Sequence, residues 1–153
     1  MKITSILPKE SIVSELASQD KVSVIRELSE AIQKSHPFIN VDKIAKILLE
    51  REELGSTGIG SGVAIPHGKL PDLENIIAAF GRSKKGLDFH SQDGEPTQLF
   101  FVLVAPANSA GLHLKALAKL SRLLKNDHFR DKLLQAPDAE TLYRIIADED
   151  EKS

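Results

Sequence analysis

The residues of this chain with the most chemical promise fall in one run, Gly55-Ser56-Thr57-Gly58-Ile59-Gly60-Ser61-Gly62-Val63-Ala64-Ile65-Pro66-His67-Gly68-Lys69. His67 stands there between a proline and a glycine. Pro66 fixes its own φ and drives Ile65 toward extended backbone, while Gly68 lets a neighbouring element come close. The ring of His67 is therefore presented with little conformational freedom at the end of an extended segment. A neutral imidazole keeps one ring nitrogen unprotonated and needs no auxiliary base to attack phosphorus. The residues alone leave two readings open: a nucleophile that carries a phosphoryl group, or a turn histidine held by a structural hydrogen bond.

Other uses of the glycine-rich run fail on spacing. A dinucleotide fingerprint begun at Gly58 needs glycine where Val63 stands, and one begun at Gly60 needs it where Ile65 stands. A Walker A loop ending in Gly68-Lys69 needs glycine at Val63 and a hydroxyl residue at Leu70. No nucleotide or other cofactor is implied. The chain contains no cysteine, which removes thiol chemistry, disulfides and cysteine-type zinc sites. His67 and the later His113 have no H-x-x-x-H pairing or third ligand at a sensible spacing, so no metal is expected. His36, His90 and His128 are assigned to surface or turn roles.

These candidates need a scaffold, and 153 residues with 41% apolar content suffice for one domain around one core. Residues 1–153 are expected to form that single domain, with a polar tail from about Asp148. Ile25, Leu28 and Ile32, then Val41, Ile44, Ala45 and Leu48, mark two amphipathic helices with Asp20 and Asn40 as N-caps and Gly55 as the stop. Val63-Ala64-Ile65, Ile76 to Phe80 and Leu99 to Val104 read as strands, separated by turn-rich Lys84-Lys85-Gly86 and Gln92-Asp93-Gly94. Helical periodicity returns at Gly111 and continues through Leu117, Leu120 and Leu124, then Phe129, Leu133 and Leu134, then Leu142, Ile145 and Ile146. Helices before and after a block of strands predict a three-layer α/β/α sandwich with a mixed, mainly parallel sheet.

Charge and hydropathy narrow the partners. Twenty basic against twenty-two acidic residues give a net charge of −2, without the basic footprint of a nucleic-acid binder. The longest apolar run, about Leu99 to Ala107, is far short of the ~20 residues of a membrane span. Pro8, Lys9 and Glu10 interrupt any apolar signal core near the start, so a cytoplasmic location is expected. Lys84-Lys85 and Lys115-Lys119-Arg122-Lys125 form basic clusters, by default solvated faces that can steer protein encounters.

Arg51-Glu52 with Gly55-Ser56-Thr57-Gly58-Ile59-Gly60, Ala64-Ile65-Pro66-His67-Gly68-Lys69, and His113 in Gly111-Leu112-His113-Leu114 resemble the enzyme IIA of the bacterial phosphotransferase system, in its fructose/mannitol and nitrogen-regulatory type. The resemblance extends over nearly the whole chain, to Leu142-Tyr143-Arg144-Ile145-Ile146. It implies an α/β sandwich with a mixed sheet and phosphoryl acceptance on His67 from an HPr-type phosphocarrier, with Arg51 and His113 lining the site. By itself Arg51, three residues after Leu48, reads equally as a solvated surface arginine. His113, in register with Ala116, Leu117, Leu120 and Leu124, reads as a core histidine or as a group at a helix N-terminus that meets a phosphoryl oxygen.

Two outputs fit the family: relay of phosphate to a IIB domain for sugar uptake, or regulation of target proteins by phosphorylation state. The chain shows no segment resembling IIB, IIC or HPr, and its lead-in looks closer to the nitrogen-regulatory branch, so regulation is favoured. A binding module with a vestigial site is the third reading; the presence of Arg51, His67 and His113 speaks against decay. Which ring nitrogen of His67 takes the phosphoryl group is not set by the sequence.

Overall fold

In the computed structural model, which describes residues 1–152, two amphipathic helices come first, α1 (Lys21–Ser35) and α2 (Val41–Glu53). The Asp20 side chain accepts from Ser23 N–H and the Asn40 side chain from Lys43 N–H, so each helix starts where a side-chain oxygen satisfies a first-turn amide. Gly55, at φ 144°, takes the chain out of α2 through backbone that residues with a Cβ rarely adopt. The strands are β1 (Ile12–Val13), β2 (Gly58–Gly60), β3 (Val63–Ala64), β4 (His67–Leu70), β5 (Ile77–Leu87) and β6 (Thr97–Pro106). Three helices follow, α3 (Ala110–Leu124), α4 (Asp127–Gln135) and α5 (Ala139–Glu151).

The six strands form one mixed sheet in the order β1-β5-β6-β3-β2, with β4 also on β6. The β1–β5, β3–β6 and β4–β6 pairings are parallel, and β2–β3 and β5–β6 are antiparallel. Alternation along β6 divides the core: Leu99, Phe101, Leu103 and Ala105 pack with α3, α4 and α5, whereas Phe100, Val102 and Val104 pack with α1 and α2. A strand covered on both faces has no use for polar residues, hence the near-continuous apolar run. The α/β/α layering is the one expected. No helix among the described residues is long and apolar enough to cross a membrane.

Register carries this layering to the site. His67 lies opposite Leu103, and Gly68 opposite Val104. In a parallel ladder partners share a face, so His67 belongs to the α3 side and Gly68 to the α2 side. A Cβ on Gly68 would come within 3.2 Å of Ile47 Cδ1 at the middle of α2, so its lack of a side chain lets α2 lie close to β4.

Three local expectations are corrected. Lys84-Lys85-Gly86 is no turn: β5 runs through it to Leu87, its register with β6 shifting between Arg82 and Leu87. Lys119 is not a solvated member of a basic face but 9% exposed, with its ammonium 2.7 Å from Asp150 Oδ1. Asp148 does not begin a tail, because α5 continues to Glu151 and Asp150 is 1% exposed; Ser153 lies outside the described residues. The physical reason is common to the last two: Asp150 accepts from Thr4 N–H (3.1 Å) as well as from Lys119, joining α5, α3 and the N-terminal segment.

Burial alone would raise the Asp150 pKa, but the Lys119 ammonium and the N–H groups of Thr4 and Ile3 outweigh it and hold the carboxyl below the ordinary 3.8. Its contribution to stability is therefore complete above pH 3.8 and is lost as pH falls through the lower folded value. Asp150→Ala leaves a buried ammonium unpaired and is expected to cost about 3–5 kcal/mol in urea unfolding at neutral pH. A loss below about 1 kcal/mol would show the pair to be energetically neutral.

Candidate active site

Between β3 and β4 the strand line is broken at Ile65-Pro66, and the break fashions the site. Pro66 has no N–H to give to the sheet, although its carbonyl still accepts from Leu103 N–H (3.0 Å). The Ile65 carbonyl accepts from the His67 ring at 2.8 Å from Nδ1. A carbonyl oxygen can only accept, so Nδ1 carries the proton and Nε2 keeps the lone pair. The neutral ring of His67 therefore offers its lone pair at Nε2.

His67, His113 and Arg51 all line one cleft of about 450 Å³, together with Ile47, Glu50, Leu54, Gly68 and Lys69. The cleft opens at the sheet edge between the C-terminal turn of α2 and the first turns of α3. His67 is half-buried, His113 is buried, and their ring centroids are 5.3 Å apart at 51°. Nδ1 of His113 is buried and meets no hydrogen-bond partner among the described residues. Leaving such a group unsatisfied costs about 1–3 kcal/mol. Arg51 Nη1 donates to the Gly55 carbonyl at 2.9 Å, which anchors one arm of the guanidinium fork at the rim.

Burial lowers the pKa of His67; the Ile65 hydrogen bond opposes the shift, Arg51 adds to it and Glu52 opposes it. Burial also lowers that of His113, helped by His67 and Lys69. Both rings are neutral at neutral pH, the state a nitrogen nucleophile requires. Among the described residues no group of three or more His, Asp or Glu side chains is placed to hold a metal ion.

Sequence reasoning missed the groups that hold this arrangement. Glu52, 7% exposed, accepts from Thr57 N–H (3.1 Å) and Thr57 O–H and pairs with the Lys21 ammonium at 2.8 Å. Lys21 lies 4.7 Å from the centroid of the Phe89 ring, whose residue accepts Ser56 O–H at its carbonyl. A signal was present: Ile44, Leu48 and Glu52 recur every four residues, which puts a carboxylate on the buried stripe of α2. Leu54, at 84% exposure, stands at the cleft mouth, with Leu114, at 64%, one residue beyond His113.

A mixed α/β sandwich with a neutral, tethered histidine at its edge is the class of protein this chain defines. Residues 5–149 match the profile of the family described as "Phosphoenolpyruvate-dependent sugar phosphotransferase system, EIIA 2", and the chain belongs to that family. A nitrogen regulatory protein of Bradyrhizobium diazoefficiens is 41% identical over 147 residues, 96% of this chain and 95% of the relative. The PTS system fructose-specific EIIABC component of Bacillus subtilis is 39% identical over 150 residues, 98% of this chain but 24% of that longer protein. The crystal structure of nitrogen regulatory protein IIA-Ntr from Neisseria meningitidis superposes with a TM-score of 0.88 at 33% identity, over 94% of this chain and 98% of that one. The family resemblance read from the motifs is thereby shown.

Because both folded pKa values lie below 6.5, the unfolded chain takes up protons first as pH falls. Stability owed to the neutral rings is therefore intact above pH 6.5 and declines below it. Replacing both residues (His67→Gln, His113→Gln) should flatten the slope of unfolding free energy below that pH. His36, also lowered by burial, retains a share of it. An unchanged slope in denaturant titrations across this range would remove the two rings as its source.

Proposed function

We propose that this chain is a phosphohistidine carrier that accepts a phosphoryl group on Nε2 of His67 from an HPr-type phosphocarrier and uses its phosphorylation state mainly to regulate other proteins. The observation that carries the reading is the Nδ1–H tether of His67 to the Ile65 carbonyl at 2.8 Å, which leaves Nε2 as the nucleophile. In the transfer the Nε2 lone pair forms a new P–N bond as the donor's P–N bond breaks. The ring becomes cationic, and the Ile65 carbonyl stabilises it through the retained Nδ1–H.

Phosphoryl transfer passes through a loose transition state in which positioning and cationic stabilisation of the equatorial oxygens matter most. Arg51 supplies the planar fork for those oxygens. His113 supplies a ring N–H, and the first-turn amides of α3, whose N-cap Ser109 makes no side-chain cap, add a partial positive charge nearby. Once attached, the phosphoryl group adds roughly −1.5 to −2 charges to a rim that also exposes Leu54. A charge of that size beside an apolar docking residue is enough to make or break a protein contact without refolding.

The nitrogen-regulatory output is supported by likeness to regulatory relatives that match this chain end to end. A second reading, phosphate relay to a IIB domain in fructose or mannitol uptake, is favoured by the 39% identity to a fructose-specific component. The two share the His67 chemistry and differ in the recipient.

Incubation with phosphoenolpyruvate, enzyme I and an HPr-type carrier should add one acid-labile phosphoryl mass, read by intact-mass analysis at neutral and acidic pH. His67→Ala should abolish it while the protein stays folded; phosphorylation of that variant would refute the assignment. His113→Ala should still accept phosphate but pass it on roughly 10²–10³-fold more slowly, the scale of losing one preorganised donor. Unchanged transfer kinetics would return His113 to the core.

A further inference from the structure

Glu52 is the one carboxylate on the buried stripe of α2, and it binds nothing on its own helix. Its donors come from two other segments: the Thr57 N–H and O–H in the loop after α2, and the Lys21 ammonium at the start of α1. Thr57 in turn accepts Ile65 N–H at its carbonyl (3.0 Å), and Ile65 accepts His67 Nδ1–H at 2.8 Å. Glu52 is therefore connected to the candidate nucleophile by hydrogen bonds that pass through two residues, Thr57 and Ile65. The same loop contains Gly55, whose carbonyl fastens Arg51 at 2.9 Å. One buried carboxylate thus holds a loop that positions both the histidine and the arginine.

Stability alone is a weak reason for such a group. A buried ion pair returns little net stability against apolar residues of the same volume, because both charges must be taken out of water. What it supplies is geometry: the loop can satisfy the carboxylate only with Thr57 turned inward, and the Thr57 carbonyl then meets the Ile65 N–H.

We infer that Glu52 is a positioning residue that, through Thr57 and Ile65, locks the His67 ring in the Nδ1–H tautomer and orients Nε2 toward the incoming phosphorus. The inference rests on the reading of His67 as phosphoryl acceptor, but the tautomer lock can be observed without any transfer. Outer-shell groups of this kind change activity by roughly 10–100-fold in metal sites, where they fix ring orientation in the same way.

The test combines long-range ¹H–¹⁵N correlation spectra of the His67 ring at neutral pH with transfer kinetics from a phosphorylated HPr-type carrier. Wild type should show a single Nδ1–H tautomer. Glu52→Ala should show a mixture containing the Nε2–H form, and a kcat lowered roughly 10–100-fold with KM for the carrier nearly unchanged. Glu52→Gln, which still offers Thr57 an acceptor oxygen, should recover most of both signals. A folded Glu52→Ala protein with a single Nδ1–H tautomer overturns the inference, whether or not its kcat has fallen. Should Glu52→Ala fail to fold, Thr57→Val against Thr57→Ser decides: Val removes the hydroxyl donor and should mix the tautomers, and Ser should restore them. Identical spectra for Thr57→Val and wild type overturn it. If wild type accepts no phosphate, the functional reading fails while the spectra still test the lock.

Discussion

Strand β6 is buried on both faces from Leu99 to Pro106, and most of the architecture follows from the need to cover it. Its antiparallel partner β5 occupies one edge, and β3 and β4 share the other in parallel register. Neither face can be left to water, so α1 and α2 close one and α3, α4 and α5 the other. Burying aromatic residues such as Phe80, Phe100 and Phe101 contributes on the order of 2–3 kcal/mol each, which makes the register of β6 the hardest feature of the fold to shift. That register fixes His67 opposite Leu103, on the side where α3 delivers His113.

The candidate site lies where this regular pairing is interrupted. Pro66 faces β6 and gives it only a carbonyl, whereas Ile65 faces the other way, with its N–H given to the Thr57 carbonyl and its own carbonyl accepting from the ring. The ring is therefore tethered by a backbone carbonyl rather than by a carboxylate, and burial lowers its pKa. Arg51 and Lys69 then set the local charge to favour an anionic group.

Polar groups buried in the two helical layers act as inter-segment ties. Lys119 and Asp150 bind α3, α5 and the N-terminus, and Lys21 and Glu52 bind α1 to the loop before the glycine-rich turn. Arg82, 1% exposed, gives its Nε to the Ser14 carbonyl and its Nη1 to the Leu133 and Ala136 carbonyls, satisfying acceptors left over at the end of α4. In each case a long side chain satisfies groups from segments remote in sequence, so the helices are held by directional contacts as well as by apolar packing.

How much of this the sequence determined follows from the range of the interactions involved. The helix starts at Asp20 and Asn40, the extended segments, the apolar run of β6 and the Pro66-His67-Gly68 presentation are local effects, and they were legible as side-chain periodicity, capping chemistry and backbone restriction. The layering followed as well, since a strand that is apolar on both faces must be covered twice. No local pattern in the sequence brings Arg51, His67 and His113 into one cleft, which the family resemblance implied, because they sit on three elements, α2, β4 and α3, that meet only in the fold. Tertiary structure decided the tautomer of His67, the burial of Lys119 and Asp150, and the inward turn of Glu52. A charged residue at a helical position has the same identity whether it faces water or a partner, and only a neighbour far along the chain makes the difference.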